Sequence, residues 1–208
     1  MIRIGIDLGG TKTEIAALDP AGRVLLRRRA PTPPGRAESI ELIGRMVEAA
    51  EEELGARFTV GIGIPGSVSP TTGRVRGANS TWLNGAALER EIAARLGRPV
   101  RLSNDANCLA MSEAADGAGA GFGTVFAVIL GTGVGGGVVS GGRLLEGRNR
   151  IAGEWGHTPL PWMTPEEFPG PSCWCGKLGC VEAFLRGPAL AVEADGPGAT
   201  DATGLPAR

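Results

Sequence analysis

The chain has 208 residues, a formal net charge of −1 and 42% hydrophobic residues, enough apolar material for one large or two small domains with real cores. So even a charge balance argues against a dedicated nucleic-acid surface, which needs a basic patch to meet phosphates. The longest apolar run, Val125 to Leu130, is far too short to cross a bilayer.

Met1 leads directly into the strand-like Ile2-Arg3-Ile4-Gly5-Ile6, without a charged leader and apolar h-region, so a cytoplasmic location is expected. Strand signals at 2–7, 13–18 and 23–28 are joined by Leu8-Gly9-Gly10-Thr11 and Asp19-Pro20-Ala21-Gly22, an antiparallel meander. Ile40, Ile43, Val47, Ala50 and Leu54 form a helical stripe over 38–54, closed by Gly55. Val60 to Ile64 reads as a buried strand ending at Pro65-Gly66. A short helix follows at 86–96, then a strand at 100–102 running into Asn104-Asp105, where a helix through Ala115 begins. The opening pattern then recurs. Strands at 124–130, 135–139 and 143–145 surround Gly131-Thr132-Gly133 and Gly141-Gly142. Two copies of one meander predict a duplicated α/β fold with two lobes facing each other over a cleft. Chance likeness of two Gly-rich hairpins is the alternative. The expected division is 1–117, 118–187 and an irregular tail at 188–208, where periodicity fades. Glycine is 35 of 208 residues, and the glycines cluster at the ends of strand-like runs as tight turns.

Each glycine turn joins two strands, so its backbone N–H groups can form a nest for phosphate oxygens. Thr11, Lys12 and Thr132 add side-chain donors, and Asp7 at its strand end is placed to hold Mg²⁺ through water. A matched pair of such turns points to a shared ligand such as ATP; ordinary hairpins are the alternative. Gly131 to Gly136 also fits G-x-G-x-x-G, but a Rossmann motif must open a helix, and Val138-Val139 followed by Gly141-Gly142 continues as a hairpin. Asp105 stands at a strand-to-helix junction. It reads either as an N-cap or as the carboxylate that takes a proton from an acceptor hydroxyl in phosphoryl transfer, with Asn104 offering its amide to a sugar diol. His157, Cys173, Cys175 and Cys180 have the spacing His-x15-Cys-x-Cys-x4-Cys. In a cytoplasmic chain this favours structural Zn²⁺ over disulfides or free thiols. Glu154 and Glu182 flank these ligands, so a metal would fix both carboxylates beside His157. Cys108 lies apart and is expected as a small buried apolar residue.

Ile6-Asp7-Leu8-Gly9-Gly10-Thr11-Lys12, Gly63-Ile64-Pro65-Gly66, Asn79-Ser80-Thr81-Trp82, Asn104-Asp105-Ala106-Asn107-Cys108, Leu130-Gly131-Thr132-Gly133-Val134-Gly135-Gly136-Gly137, Gly153-Glu154-Trp155-Gly156-His157 and the Cys-x-Cys-Gly-x-x-Gly-Cys-x-Glu run occur in that order. Over roughly residues 1 to 187 the chain thereby resembles the ROK family of sugar kinases. Asn79 to Gly85 and Pro159-Leu160-Pro161-Trp162-Met163 are similar to its fructokinase (manno-fructokinase) branch. The resemblance implies an actin-like (ribonuclease H-like) duplicated two-lobe fold with the second lobe incomplete. It implies Asp105 as catalytic base, and Gly66, Asn79, Asn104, Glu154, His157 and Glu182 as sugar ligands. Asp7, Gly9, Gly10, Thr11, Lys12, Gly131, Thr132 and Gly133 would serve ATP and Mg²⁺. His157 would meet zinc through one ring nitrogen and the sugar through the other. The implied reaction is phosphorylation of a hexose at the 6-hydroxyl, most simply fructose, with N-acetylglucosamine, glucose and mannose as alternatives. Homodimers are common in such proteins, and the helix-turn-helix of ROK repressors is not in evidence ahead of the first strand. Family members continue past this end, so a C-terminally truncated kinase of weak or lost activity is expected. A sugar-sensing pseudokinase and a non-functional fragment are the competing readings.

Overall fold

Alternation fixes the first strand. In β1 (Arg3–Leu8) the side chains of Ile4, Ile6 and Leu8 are buried while Arg3, Gly5 and Asp7 face out. The computed structural model describes residues 2–200 and 202. It divides into two units, Met1–Cys108 with Arg148–Arg150, and Leu109–Gly147 with Ile151–Arg208. The division falls inside a helix, earlier than the boundary expected after residue 117. Among the described residues no helix is long and apolar enough to cross a membrane.

In the first unit β1 pairs antiparallel with β2 (Lys12–Leu18), which pairs antiparallel with β3 (Val24–Pro31). On its other side β1 runs parallel to β4 (Thr59–Ile64), and β4 parallel to a strand at Val100–Asn104. Between these lie β5 (Ser67–Val68) and β6 (Val75–Arg76), a small hairpin that makes Val100–Asn104 strand β7. The sheet order is β3-β2-β1-β4-β7. Helices α1 (Arg36–Leu54) and α2 (Leu88–Leu96) bury Ile43, Val47 and Ala50, and Leu88 and Ile92, in one core with Ile4, Ile6, Ile15 and Ile62. Ile40 and Leu54, also expected on the α1 stripe, pack at the margin of that core. The Arg76 guanidinium donates to the Asn149 carbonyl, which ties 148–150 to this unit.

Helix α3 (Asp105–Ala115) leads into the second meander, β8 (Thr124–Leu130), β9 (Val134–Ser140) and β10 (Arg143–Leu144), in sheet order β10-β9-β8. The register runs from Thr124↔Ser140 to Leu130↔Val134. Its core is small: Ala110, Ala127 and Val139, with Leu109, Ala114, Val125 and Leu144 packed beside them. Two helices follow, α4 (Val181–Leu185) and α5 (Gly187–Asp195). The tail expected to be irregular over 188–208 therefore begins as a helix. Pro188 suits a first helical turn, Ala189-Leu190-Ala191-Val192 are mostly good helix formers, and Ala191 is fully buried. Residues 196–200 and 202 carry no helix or strand, while 201 and 203–208 lie outside the described residues.

Candidate active site and metal cluster

The β1–β2 turn is held from three sides. Gly9 N–H donates to Lys12 O at 3.1 Å, and Thr32 N–H to Thr11 O at 3.0 Å. The Thr32 hydroxyl donates to Gly9 O at 2.8 Å and accepts from the buried Thr13 hydroxyl at 2.8 Å. Thr32 and Thr13 carry no motif, so sequence reasoning missed both. The carboxyl of Asp7 is solvent-accessible, yet local desolvation and then the charge of Glu14 raise its pKa, with Arg29 opposing. A methyl group at Gly10 would lie 2.9 Å from Ser80 Oγ, so this turn meets the loop carrying Asn79. That loop is closed by Asn84, whose Oδ1 accepts the Ala78 N–H and whose Nδ2 donates to the Ala78 carbonyl, each at 2.9 Å. The exposed Asn79 accepts the Ser80 N–H at 2.7 Å.

At the start of α3 the two readings of Asn104-Asp105 separate. Asn104, not Asp105, is the cap: its Oδ1 accepts the Asn107 N–H at 3.1 Å, and its Nδ2 donates to Gly66 O at 2.9 Å. Asp105 Oδ1 accepts the adjacent Ala106 N–H at 2.8 Å. Its pKa is raised, first by burial and then by the neighbouring charge of Asp7, against the pull of the Ala106 N–H and of Asn104. Parallel pairing brings these residues together, since Asp7 lies opposite Gly63 on β4, and Gly63 opposite Ser103 on β7. Cys108 departs from expectation. It is exposed, three residues after Asp105 on α3. Protein crowded around the sulfur, and then the carboxylates of Asp105 and Asp7, hold its thiol above the usual value, while Ser103 opposes. Asn104→Ala removes the cap and the Gly66 bond. We expect a loss of about 1–2 kcal/mol, read as an earlier midpoint in urea unfolding.

In the second unit the Gly131–Gly133 turn closes with Gly131 N–H on Gly133 O at 2.9 Å, and the Gly187 N–H donates to Gly131 O at 2.7 Å. The run of glycines in β9 serves the next segment. Trp155 Nε1 donates to Gly135 O at 2.8 Å, and the Trp155 ring meets Phe126 edge-on at 6.2 Å. Gly153 has φ +89°, and a Cβ there would overlap the Gly136 carbonyl. Gly153→Ala is therefore expected to cost about 2–3 kcal/mol and to displace the short 3-10 turn Trp155–His157, whose preceding residue is the half-buried Glu154. Thermal unfolding with and without the substitution measures this.

Pairing of the chain after this turn brings His157 to the cysteines. Leu160 N–H donates to Gly179 O at 2.8 Å and Val181 N–H to Thr158 O at 2.9 Å. The cysteine loop folds on itself through Cys173 N–H to Lys177 O at 2.9 Å and Gly176 N–H to Cys173 O at 3.0 Å. One ring nitrogen of His157 and the sulfurs of Cys173, Cys175 and Cys180 all lie within 4.8 Å of one another. Cys173 Sγ is 3.5 Å from His157 Nδ1, and Cys175 Sγ is 3.7 Å from Cys180 Sγ. A tetrahedral zinc at about 2.3 Å from sulfur sets sulfur–sulfur edges of about 3.8 Å, so this donor set fits the ion. Burial and then the two neighbouring thiols push the Cys180 thiol up to about 12. Three thiols this close cannot all ionise unless a cation compensates them.

Glu182 is more enclosed than expected of a sugar ligand. It is 5% exposed, with Oε2 accepting the Val134 N–H at 2.9 Å and Oε1 accepting Trp174 Nε1 at 2.5 Å. A hexose hydroxyl would have to share or displace the Trp174 contact. Trp174, unmarked in the sequence, also meets the His157 ring edge-on at 5.0 Å. The first unit thus gathers Asp7, the turn from Gly9 to Lys12, Gly66, Asn79, Asn104 and Asp105. The second gathers Gly131–Gly133, Glu154, His157, Glu182 and the three cysteines.

The two strand meanders and the helices around them place the chain in the α/β class. The family model described as the ROK family matches residues 3–202, and the chain belongs to that family. The N-acetyl-D-glucosamine kinases of Salmonella newport (strain SL254) and Escherichia fergusonii are 40% and 39% identical to it over 188 residues. Those matches cover 88% of this chain and 62% of each relative, so the chain spans about 62% of their length. Among solved structures, a ROK hexokinase from Thermus thermophilus is 37% identical with a TM-score of 0.77, covering 93% of this chain and 63% of that one. A ROK family glucokinase from Streptomyces griseus in complex with glucose and AMPPNP is 36% identical with a TM-score of 0.79, covering 92% and 59%. The fold is the α/β, actin-like one of these kinases.

Proposed function

We propose that this chain carries the sugar-binding and catalytic residues of an ATP-dependent kinase acting on the 6-hydroxyl of a hexose. The observation that carries the reading is the junction at Asn104-Asp105. Asn104 takes the capping bond, and the Asp105 carboxylate beside Asp7 is left to accept a proton from the hexose hydroxyl. Gly66, Asn79, Asn104, Glu154, His157 and Glu182 are the proposed hexose ligands. The turns Gly9-Gly10-Thr11-Lys12 and Gly131-Thr132-Gly133 are the proposed phosphate cradles, and Asp7 would hold Mg²⁺ through water. When bound, Mg-ATP supplies the phosphoryl group and the metal neutralises its charge. The ATP analogue in the Streptomyces griseus glucokinase supports this assignment. His157, Cys173, Cys175 and Cys180 would hold a structural zinc, His157 through Nδ1. A cytoplasmic homodimer is the reading that accompanies it.

The hexose is argued two ways. Segments 79–85 and 159–163 favour fructose, while the N-acetyl-D-glucosamine kinases at 40% identity favour N-acetylglucosamine. A coupled assay of ADP release with Mg-ATP on zinc-loaded chain, comparing fructose, N-acetylglucosamine, glucose and mannose, tests both. Turnover on one hexose, absent in Asp105→Ala, establishes the kinase and its substrate. A folded chain without turnover that gains thermal stability with a hexose is a sugar binder, and one without either response overturns the proposal.

A further inference from the structure

We propose that Trp174 is a positioning residue that couples the metal cluster to the β8–β9 phosphate turn through Glu182. The inference rests on the metal assignment above. Trp174 stands between two of the sulfur ligands, Cys173 and Cys175, so its backbone is fixed from both sides when the cluster closes. Its indole N–H donates to Glu182 Oε1 at 2.5 Å, and its ring lies against the edge of His157 at 5.0 Å. The other oxygen of the same carboxylate accepts the Val134 N–H at 2.9 Å in a buried bond. Gly133 makes this approach possible, because a Cβ there would lie 2.8 Å from Glu182 Oε2.

The consequence follows from burial and charge. Glu182 is 5% exposed, so its carboxylate has little water to fall back on and depends on these donors. Cys173 Sγ lies 3.9 Å from Oε1, leaving the indole as the short contact on that oxygen. Opening the cluster frees Trp174, a residue that is 55% exposed. Glu182 can then rotate, and the Val134 N–H at the foot of the turn loses its acceptor. The metal thus acts beyond its own loop, by fixing a turn proposed to cradle phosphate.

The test uses the full chain loaded with zinc, and reads amide hydrogen exchange at Gly131–Gly135 beside zinc content per chain. Trp174→Phe keeps an aromatic ring, though a smaller one, and removes the N–H. It is expected to keep its zinc and to raise Val134 exchange about ten-fold, the size of a lost hydrogen bond to a charged group. Chelation of the unsubstituted chain should raise the same amide. Hexose and AMPPNP binding by calorimetry should weaken in Trp174→Phe, and Trp174→His, which restores an N–H donor, should recover part of the loss. Unchanged Val134 exchange in a zinc-loaded Trp174→Phe overturns the inference. If that variant fails to fold, the Trp174 indole N–H of the unsubstituted chain decides: slow exchange lost on chelation supports the coupling, and exchange as fast as a free indole overturns it. A chain that takes up no zinc refutes the metal assignment itself. One that takes up zinc and shows the coupling but binds no hexose refutes only the kinase reading.

Discussion

Asp105→Asn is expected to lower hexose-dependent ADP release by about 10²–10⁴-fold while leaving the fold and hexose binding nearly intact. The substitution is nearly isosteric, and the new amide oxygen can still accept the Ala106 N–H that Asp105 Oδ1 accepts at 2.8 Å. The helix start does not depend on it, because Asn104 supplies the cap to Asn107. What disappears is the group that takes the proton from the acceptor hydroxyl. Coupled-assay turnover, set beside calorimetric hexose affinity and circular dichroism of the same protein, separates the two effects. A variant with unchanged turnover would remove Asp105 from the chemistry.

The same residue sets a pH dependence with a definite sign. Burial and the charge of Asp7 raise the Asp105 pKa, so the carboxylate is harder to ionise than an exposed aspartate near about 3.9. A base works only when ionised. Turnover should therefore fall as pH drops through the raised value, with the acid limb at higher pH than an unperturbed aspartate would give. Asp7→Asn removes the like charge and should move that limb to lower pH. The height of the profile also drops if Asp7 serves Mg²⁺, but the position of the limb reports the coupling alone.

The meanders and the gathering of His157 with the three cysteines were legible in the sequence for physical reasons that particular residues show. Ile4, Ile6 and Leu8 alternate because one face of β1 is buried, and glycine turns bound both hairpins. The Cys and His spacing was readable because few other reasons place those residues together. Contacts between distant side chains were not readable. The bridge of Asn84 across Ala78, the Thr32 clamp on Gly9 and the indole bond of Trp174 to Glu182 depend on which loops meet, and no local period encodes that. Strands β5 and β6, at two residues each, are too short to show alternation. Helix α5 was hidden because Gly187 and Pro188 open it and Gly-Pro-Gly follows, a composition shared with irregular chain. Asn104 and Asp105 are equally good caps in sequence, and only geometry assigns the cap to the first.

Removing the proposed zinc is expected to have the largest effect on stability, and to have it in one unit. Residues 158–180 contain little regular structure: the isolated pairings Pro159↔Cys180 and Ser172↔Leu178, and turns between them. Trp162, Phe168, Trp174 and Leu178 are exposed, so this segment has not built a core of its own. Among the described residues, a hydrophobic cluster of its unit is the small one of Ala110, Ala127 and Val139 with their neighbours. Apparent free energies of ~10–16 kcal/mol for zinc in finger peptides are comparable to the ~5–15 kcal/mol that stabilises a whole domain. Losing even about 5 kcal/mol lowers the melting temperature by roughly 10–20 °C in a chain of this size. Chelation should therefore melt the second unit first, while the core of Ile4, Ile43, Val47 and Ile62 keeps the first unit folded. Cys180→Ser should be more damaging than Cys175→Ser, because Cys180 is 1% exposed and also stands at the start of α4, whereas Cys175 is half-buried. Calorimetric melting with and without chelator, beside zinc content and hydrogen exchange, reads all three. A single transition that chelation leaves in place would mean that these thiols are free and that the loop is held by its hydrogen bonds alone.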